Sequence, residues 1–235
     1  MRAGMRSEAQ SGVCLLLGAT ALRLGPSDAA LAYVKPSLRP LLVVAGVVLV
    51  VVGIAGLRGR RAVDADEQAD EHGAPSAAWL LVLPVVAVFL VAPAPLGSYA
   101  AERQSDSRAI ERKAITSPLP AEVDGAVPLT MRNFLVRAIN GTELVGRTVR
   151  ITGFTTTDGK GVALNRFRVS CCAADGIAMR VRLEGIPGAP RDDQWFEVEG
   201  VLRDGERSDA GLIGLPVLDV TEATPVSPPT NTYEG

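Results

Sequence analysis

Residues Pro40 to Leu57, PLLVVAGVVLVVVGIAGL, run for 18 positions without a charged side chain. A helix of that length rises about 27 Å, close to the roughly 30 Å hydrocarbon thickness of a bilayer. Few soluble elements stay uncharged on every face for so long. The run therefore reads as a membrane span, and it governs how the rest of the chain is read.

Two further apolar stretches accompany it. Trp79 to Ala101, WLLVLPVVAVFLVAPAPLGSYAA, is also uncharged and has aromatics near both ends, as interfacial anchors require. Pro84, Pro93 and Pro95 kink it or end it early. Ser11 to Val34 is weaker, because Arg23 and Asp28 interrupt it. It has the basic start and short apolar stretch of a signal peptide, but no small-x-small cleavage site directly follows. It reads as a first span with Arg23 snorkelling to an interface.

The basic residues of the short loops set the orientation. Arg2 and Arg6 precede the first stretch, and Arg58, Arg60 and Arg61 follow the second. Only Lys35 and Arg39 lie between the two. The bias favours an N terminus inside the cytoplasm and a C-terminal domain outside it, in a multi-pass protein of the cell membrane. The loop RGRRAVDADEQADEHGAPSA is polar and reads as unstructured, with the chain's one histidine, His72, among its acids.

The C-terminal part changes pattern. Residues 102–126 are charged and rich in Ser, Pro and Ala, which reads as a linker. LTMRNFLVRAI places Leu129, Phe134, Leu135 and Ile139 at helical spacing. After Gly146 the alternation has a period of two. RTVRITGF, ALNRFRVSC, AMRVRLEG, QWFEVEGVLR and GLIGLPVLDV are five strand candidates, with Pro216 marking an edge or a bulge. Five short strands in about 80 residues suggest a small barrel or sandwich.

The expected fold class is thus an α+β membrane protein: three transmembrane helices followed by a small, mostly-β, OB-like barrel. The expected organisation is a transmembrane hairpin over 1–57 (spans at about 11–34 and 40–57), a cytoplasmic polar loop over 58–78 and a third transmembrane helix over 79–101. A linker over 102–126 and an extracytoplasmic β-rich domain over 127–235 complete it.

Candidate chemistry concentrates in RVSCCAADG, which holds two of the three cysteines, Cys171 and Cys172. Side chains alternate along a strand, so an unbroken register buries Cys171 with Phe167 and Val169 and turns Cys172 outward with Arg166 and Arg168. A bulge would bring both to one side. Cys171, Cys172 and Asp175 are then candidate ligands for zinc or another soft metal. No catalytic residue is identified. A cysteine nucleophile normally wants a histidine base, and His72 lies on the expected opposite side of the membrane. No glycine-rich phosphate loop occurs, so no nucleotide is expected. Net charge is −2, and the pairs Arg166/Arg168 and Arg180/Arg182 have no exposed aromatic platform beside them. They read as a solvated face, and nucleic acid is not an expected partner.

The segments YVKPSLRP, APLGSYAA, RITGF, NRFRVSCCAADG and FEVEG together resemble the YcgQ-like family. The resemblance covers nearly the whole chain, and CCAAD is its most specific part. Members are bacterial membrane proteins described as permease subunits, typically encoded beside a larger permease. The resemblance implies an integral membrane permease protein as partner and a link to metal-ion homeostasis, with zinc as one candidate ion. Relatives can carry a histidine-rich second loop, where this chain has only His72. The expected function is a non-enzymatic accessory subunit of a membrane permease. The alternative is a membrane-anchored extracytoplasmic module that binds or senses metals or thiols.

Overall fold

The computed structural model describes residues 2–63, 95–104, 117–141, 143–205, 207–208, 211–212 and 214–234. The chain forms two compact units. One holds residues 1–30 and 36–94, and the other holds residues 31–35 and 95–235.

The first unit contains α1 (Arg2–Leu24) and α2 (Arg39–Val63). They pack antiparallel through small residues. A Cβ added to Gly18 would lie 2.8 Å from the Gly46 carbonyl oxygen, and one added to Gly46 would lie 3.1 Å from that of Gly18. Lower down, a Cβ on Gly53 would meet the Ser11 carbonyl oxygen at 3.0 Å. Without side chains at these positions the backbones approach closely, which maximises dispersion contact along the seam. Arg39 closes the hairpin. Its guanidinium donates to the carbonyl oxygens of Gly25, Pro26 and Ser27 and lies 3.6 Å from the Asp28 carboxylate.

This unit corrects the expectation of three transmembrane helices. Among the described residues one helix, Pro36–Arg58, is long and apolar enough to cross a membrane. The apolar part of α1, Gln10–Leu24, is shorter. The expected span at 11–34 breaks because α1 ends at Leu24, before Gly25 and Pro26, and Asp28–Ala32 form a 3-10 turn instead. Pro26 cannot donate a backbone hydrogen bond to continue the helix. Of the expected third helix, residues 79–94 lie outside the described residues. Its last seven, Pro95 to Ala101, belong to the second unit rather than to a long apolar helix.

The second unit is β-rich. It runs through α3 (Ser98–Arg103), β1 (Val127–Pro128), α4 (Met131–Asn140), β2 (Thr148–Asp158), β3 (Gly161–Arg168) and β4 (Ile177–Glu184). It continues with β5 (Trp195–Leu202), β6 (Arg207–Ser208), β7 (Gly211–Leu212), β8 (Val217–Pro225) and β9 (Tyr233–Glu234). The sheet order is β1-β2-β5-β8-β4-β3-β9, and β2 also pairs with β3. That extra pairing closes β2, β3, β4, β8 and β5 into a barrel. All neighbours in the ring are antiparallel except β4 and β8.

Two glycines permit closure. Strand β2 pairs with β5 up to Phe154 and with β3 from Phe154 onward. Gly153 sits at this change, where a Cβ would lie 2.9 Å from Leu164 Cγ. Gly200 sits at the register shift between β5 and β8. Glycines and bulges at such points let a sheet bend sharply enough to meet its own edge.

The core is built from the inward face of each strand: Val149, Ile151, Leu164, Val181, Val198 and Leu218. Helix α4 adds Met131, Phe134, Leu135 and Ala138. The Thr130 side chain caps it by accepting from Asn133 N–H at 3.2 Å. No helix is inserted between β4 and β5; α4 precedes the barrel. The strand expected across 211–220 divides at Pro216, so that Gly211–Leu212 pairs with Arg207–Ser208 and β8 begins at Val217.

Candidate metal and thiol centre

Strand β3 ends at Arg168 and β4 begins at Ile177. The loop between them carries the vicinal cysteines. Val169, 2% exposed, is its last buried residue, and its N–H donates to the Glu234 carbonyl oxygen at 3.0 Å. Ser170 turns the chain outward. Cys172 precedes the 3-10 turn Ala173–Asp175, and Gly176 leads into β4. Gly176 packs closely against the end of the Leu96 side chain, which would have to shift to admit a Cβ there.

Strand alternation therefore stops two residues before Cys171. The expected burial of Cys171 does not hold: Cys171 is exposed, and Cys172 is intermediate. Both thiols lie on one side of the turn with Asp175. The Asp175 Oδ1 accepts from Ser170 N–H at 2.9 Å, and its Oδ2 accepts from Cys171 N–H at 2.8 Å. The two Sγ atoms are 3.6 Å apart. Both sulfurs and a carboxylate oxygen of Asp175 fall within 4.8 Å of one another. Among the described residues this is the group of Cys, His, Asp and Glu side chains arranged to share an ion.

The spacing suits one ion. Two sulfurs each about 2.3 Å from a tetrahedral zinc stand about 3.8 Å apart. In the thiol state the same contacts act on protons. The hydrogen bond to the Asp175 carboxylate, reinforced by that to Cys172, pushes the Cys171 thiol up to about 11. The same Cys171 bond, with the Ser170 N–H, lowers the Asp175 carboxyl to about 2. At neutral pH the loop thus presents an ionised carboxylate beside a Cys171 thiol that keeps its proton.

A second segment holds the loop from outside. Lys35 N–H donates to the Cys171 carbonyl oxygen at 3.0 Å, and Ala173 N–H donates to the Tyr33 carbonyl oxygen at 2.7 Å. Val34 and Cys172 form an antiparallel bridge. Tyr233, 2% exposed, fixes both ends of the neighbouring chain: its hydroxyl accepts from Leu96 N–H and donates to the Ala32 carbonyl oxygen, each at 2.9 Å. Strand periodicity does not reveal Tyr33–Lys35: Tyr33 and Val34 end an expected span, and Lys35 lies in the expected turn after it. One local signal was present: Lys35 precedes Pro36, and a residue before proline favours extended backbone.

The arginines also depart from expectation. Arg180 is 8% exposed, donating to Asn165 Oδ1 at 3.0 Å and to the Ala101 carbonyl oxygen at 2.9 Å. Arg166 lies over the Trp195 ring and donates to the carbonyl oxygens of Asn231 and Thr232. The segment containing α3 and the C-terminal segment cover this face, so it is not a solvated one. Arg182 does reach outward, to Asp158 at 3.0 Å. Arg168 lines an open polar cavity of about 570 Å³ beside the loop, with Lys35, Arg132, Ser170 and Glu234. His72 lies outside the described residues.

The fold and the loop define a small closed β-barrel domain that presents two adjacent thiols and a carboxylate at one hairpin. Residues 134–234 match the model of the DUF1980 C-terminal domain, a domain of the YcgQ-like family. The matched region runs from α4 to β9 and contains the whole barrel and the cysteine loop. No curated protein and no solved structure matches the chain.

Proposed function

We propose that this chain is a non-enzymatic accessory subunit of a membrane permease, anchored in the cell membrane by α2. The observation that carries this reading is the apolar surface of α2. Leu41, Val44, Val48, Val51 and Val52 are each more than half exposed. A face of that kind needs lipid or another apolar helix against it. The permease as partner follows from the sequence resemblance, whose segments RITGF, NRFRVSCCAADG and FEVEG lie inside the matched domain.

Orientation can be argued from α2 alone. Tyr33–Lys35, just ahead of α2, pair with the cysteine loop of the barrel, while Arg58, Arg60 and Arg61 lie at the other end of the helix. Basic residues favour the cytoplasmic side, so in this reading the Arg58 end of α2 faces the cytoplasm and the Tyr33 end faces outward. That the subunit is non-enzymatic is part of this reading and rests on the sequence, whose one histidine, His72, is not expected beside the cysteines. Crosslinking in native membranes followed by copurification tests the proposal. An integral membrane permease should be recovered with the chain. Release of the chain by alkaline carbonate, with no membrane partner, refutes it.

A second reading is favoured by the convergence of Cys171, Cys172 and Asp175. Here the barrel is a membrane-anchored extracytoplasmic module that binds a soft metal or exchanges thiols. The two readings are compatible if metal binding regulates a permease. Permease association that is unchanged in Cys171→Ser and Cys172→Ser variants separates them.

A further inference from the structure

The loop has an unusual mechanical setting. Cys172 is bracketed by two backbone hydrogen bonds to one short segment. Lys35 N–H holds the carbonyl oxygen on its N-terminal side, and the Tyr33 carbonyl oxygen holds Ala173 N–H on its C-terminal side. That segment runs directly into Pro36, the start of the turn that leads to α2.

We propose that a zinc-type divalent ion, held by the sulfurs of Cys171 and Cys172 and the carboxylate of Asp175, is thermodynamically coupled to the pairing of Tyr33–Lys35 with this loop. The proposal rests on the second reading above, that the loop binds a soft metal.

The coupling follows from geometry. Two thiolates on successive residues share an ion only in a narrow range of backbone angles at the intervening peptide. The observed backbone supplies a separation of 3.6 Å, near the value of about 3.8 Å for a tetrahedral site. The strand-like pairing selects that backbone before the ion arrives. Without it the loop must be ordered during binding, which weakens affinity. Linkage is reciprocal, so the bound ion must strengthen the pairing by the same factor. Chemically, the ion takes both sulfurs as thiolates and two thiol protons pass to solvent, while Asp175 enters already ionised. Three protein ligands leave a fourth position for water or for a donor atom of a partner. Ion occupancy would thereby be read at the residues that enter α2, without a separate sensor.

The test uses the full chain in detergent and zinc chloride as probe. Affinity is measured by competition with a chromophoric chelator, and amide exchange is followed at Lys35 and Ala173. Lys35→Pro removes the N–H that holds Cys171, while Lys35→Ala removes the side chain and keeps that N–H. Zinc should bind one to one to the unmodified chain and be lost in Cys172→Ser. Lys35→Pro should weaken it about tenfold, within the usual range of coupling between sites, and Lys35→Ala should weaken it less than Lys35→Pro does. Zinc should also slow exchange at both amides of the unmodified chain, a readout that does not depend on a variant folding. If zinc binds through the cysteines but neither amide gains protection and Lys35→Pro binds equally well, the coupling is wrong and the metal site stands. If the unmodified chain binds no zinc through Cys171 and Cys172, the metal reading fails and takes the coupling with it.

Discussion

Tyr233→Phe removes one oxygen atom and leaves the buried ring in place. That oxygen makes two hydrogen bonds of 2.9 Å, accepting from Leu96 N–H and donating to the Ala32 carbonyl oxygen. Both partners come from apolar runs that the sequence assigns to the membrane, so the substitution measures whether that chain belongs to the barrel. Each bond contributes about 0.5–1.5 kcal/mol net, which gives about 1–3 kcal/mol for the pair. For a domain of this size the fall in Tm should be about 4–12 °C. Thermal denaturation of the full chain in detergent measures it, and hydrogen exchange at the Leu96 amide localises it. A melt within about 1 °C of the unmodified protein, with Leu96 equally protected, would refute the reasoning.

Three further outcomes follow from the geometry. Gly18→Val forces side-chain atoms against Val50 and the Gly46 carbonyl, so α1 and α2 must separate or shift; a loss of about 1–3 kcal/mol should appear in detergent melts of the helical signal. Arg180→Ala strips Asn165 Oδ1 and the Ala101 carbonyl of a buried donor and should cost about 2–4 kcal/mol, read from chemical denaturation. Around the cysteine loop, Asp175 has a folded pKa of about 2 against an ordinary value of 3.8. Its contribution to stability is therefore present above about pH 4 and lost as pH falls toward 2; the Cys171 thiol, raised from 9.0 to about 11, loses its contribution as pH rises between those values. Asp175→Asn should flatten the acid limb of a stability-against-pH curve, and an unaltered limb would show that the carboxylate is not held as described.

The sequence carried the β-rich domain because period-two alternation is a local signal. Phe196 and Val198 are buried and Glu197 is exposed, as the pattern of QWFEVEG requires. Helix α4 was equally legible, from Phe134, Leu135 and Ile139, although Leu129, read with them, lies ahead of the Thr130 cap. What could not be read locally was which chain covers the barrel. Residues 95–101 are apolar enough to resemble the end of a span, yet Leu96 and Ala101 pack with Phe154, Phe167 and Tyr233. Hydrophobicity alone does not distinguish a bilayer from a protein core as the destination of a short apolar segment. The same covering buried Arg180, which strand alternation had placed outward. The cysteine loop was legible in composition but not in register, because the turn at Ser170 depends on Asp175 collecting two backbone N–H groups from residues four and five positions earlier.

The position of that loop relative to the core limits what an ion there would do. Structural zinc sites are closed by four protein ligands and often supply the free energy of folding. Here the three candidate ligands fall within five residues, and neither thiol belongs to the clusters formed by Phe134, Leu164, Val181 and Leu218 or by Phe154 and Phe167. The barrel closes through β2 and β3 and fills its interior without them. Binding free energy at the loop is therefore not consumed in assembling the domain, and the exposed Cys171 leaves the ion open to ligand exchange. A metal at this site would act on the loop and on the segment paired with it, and would not be needed to close the barrel.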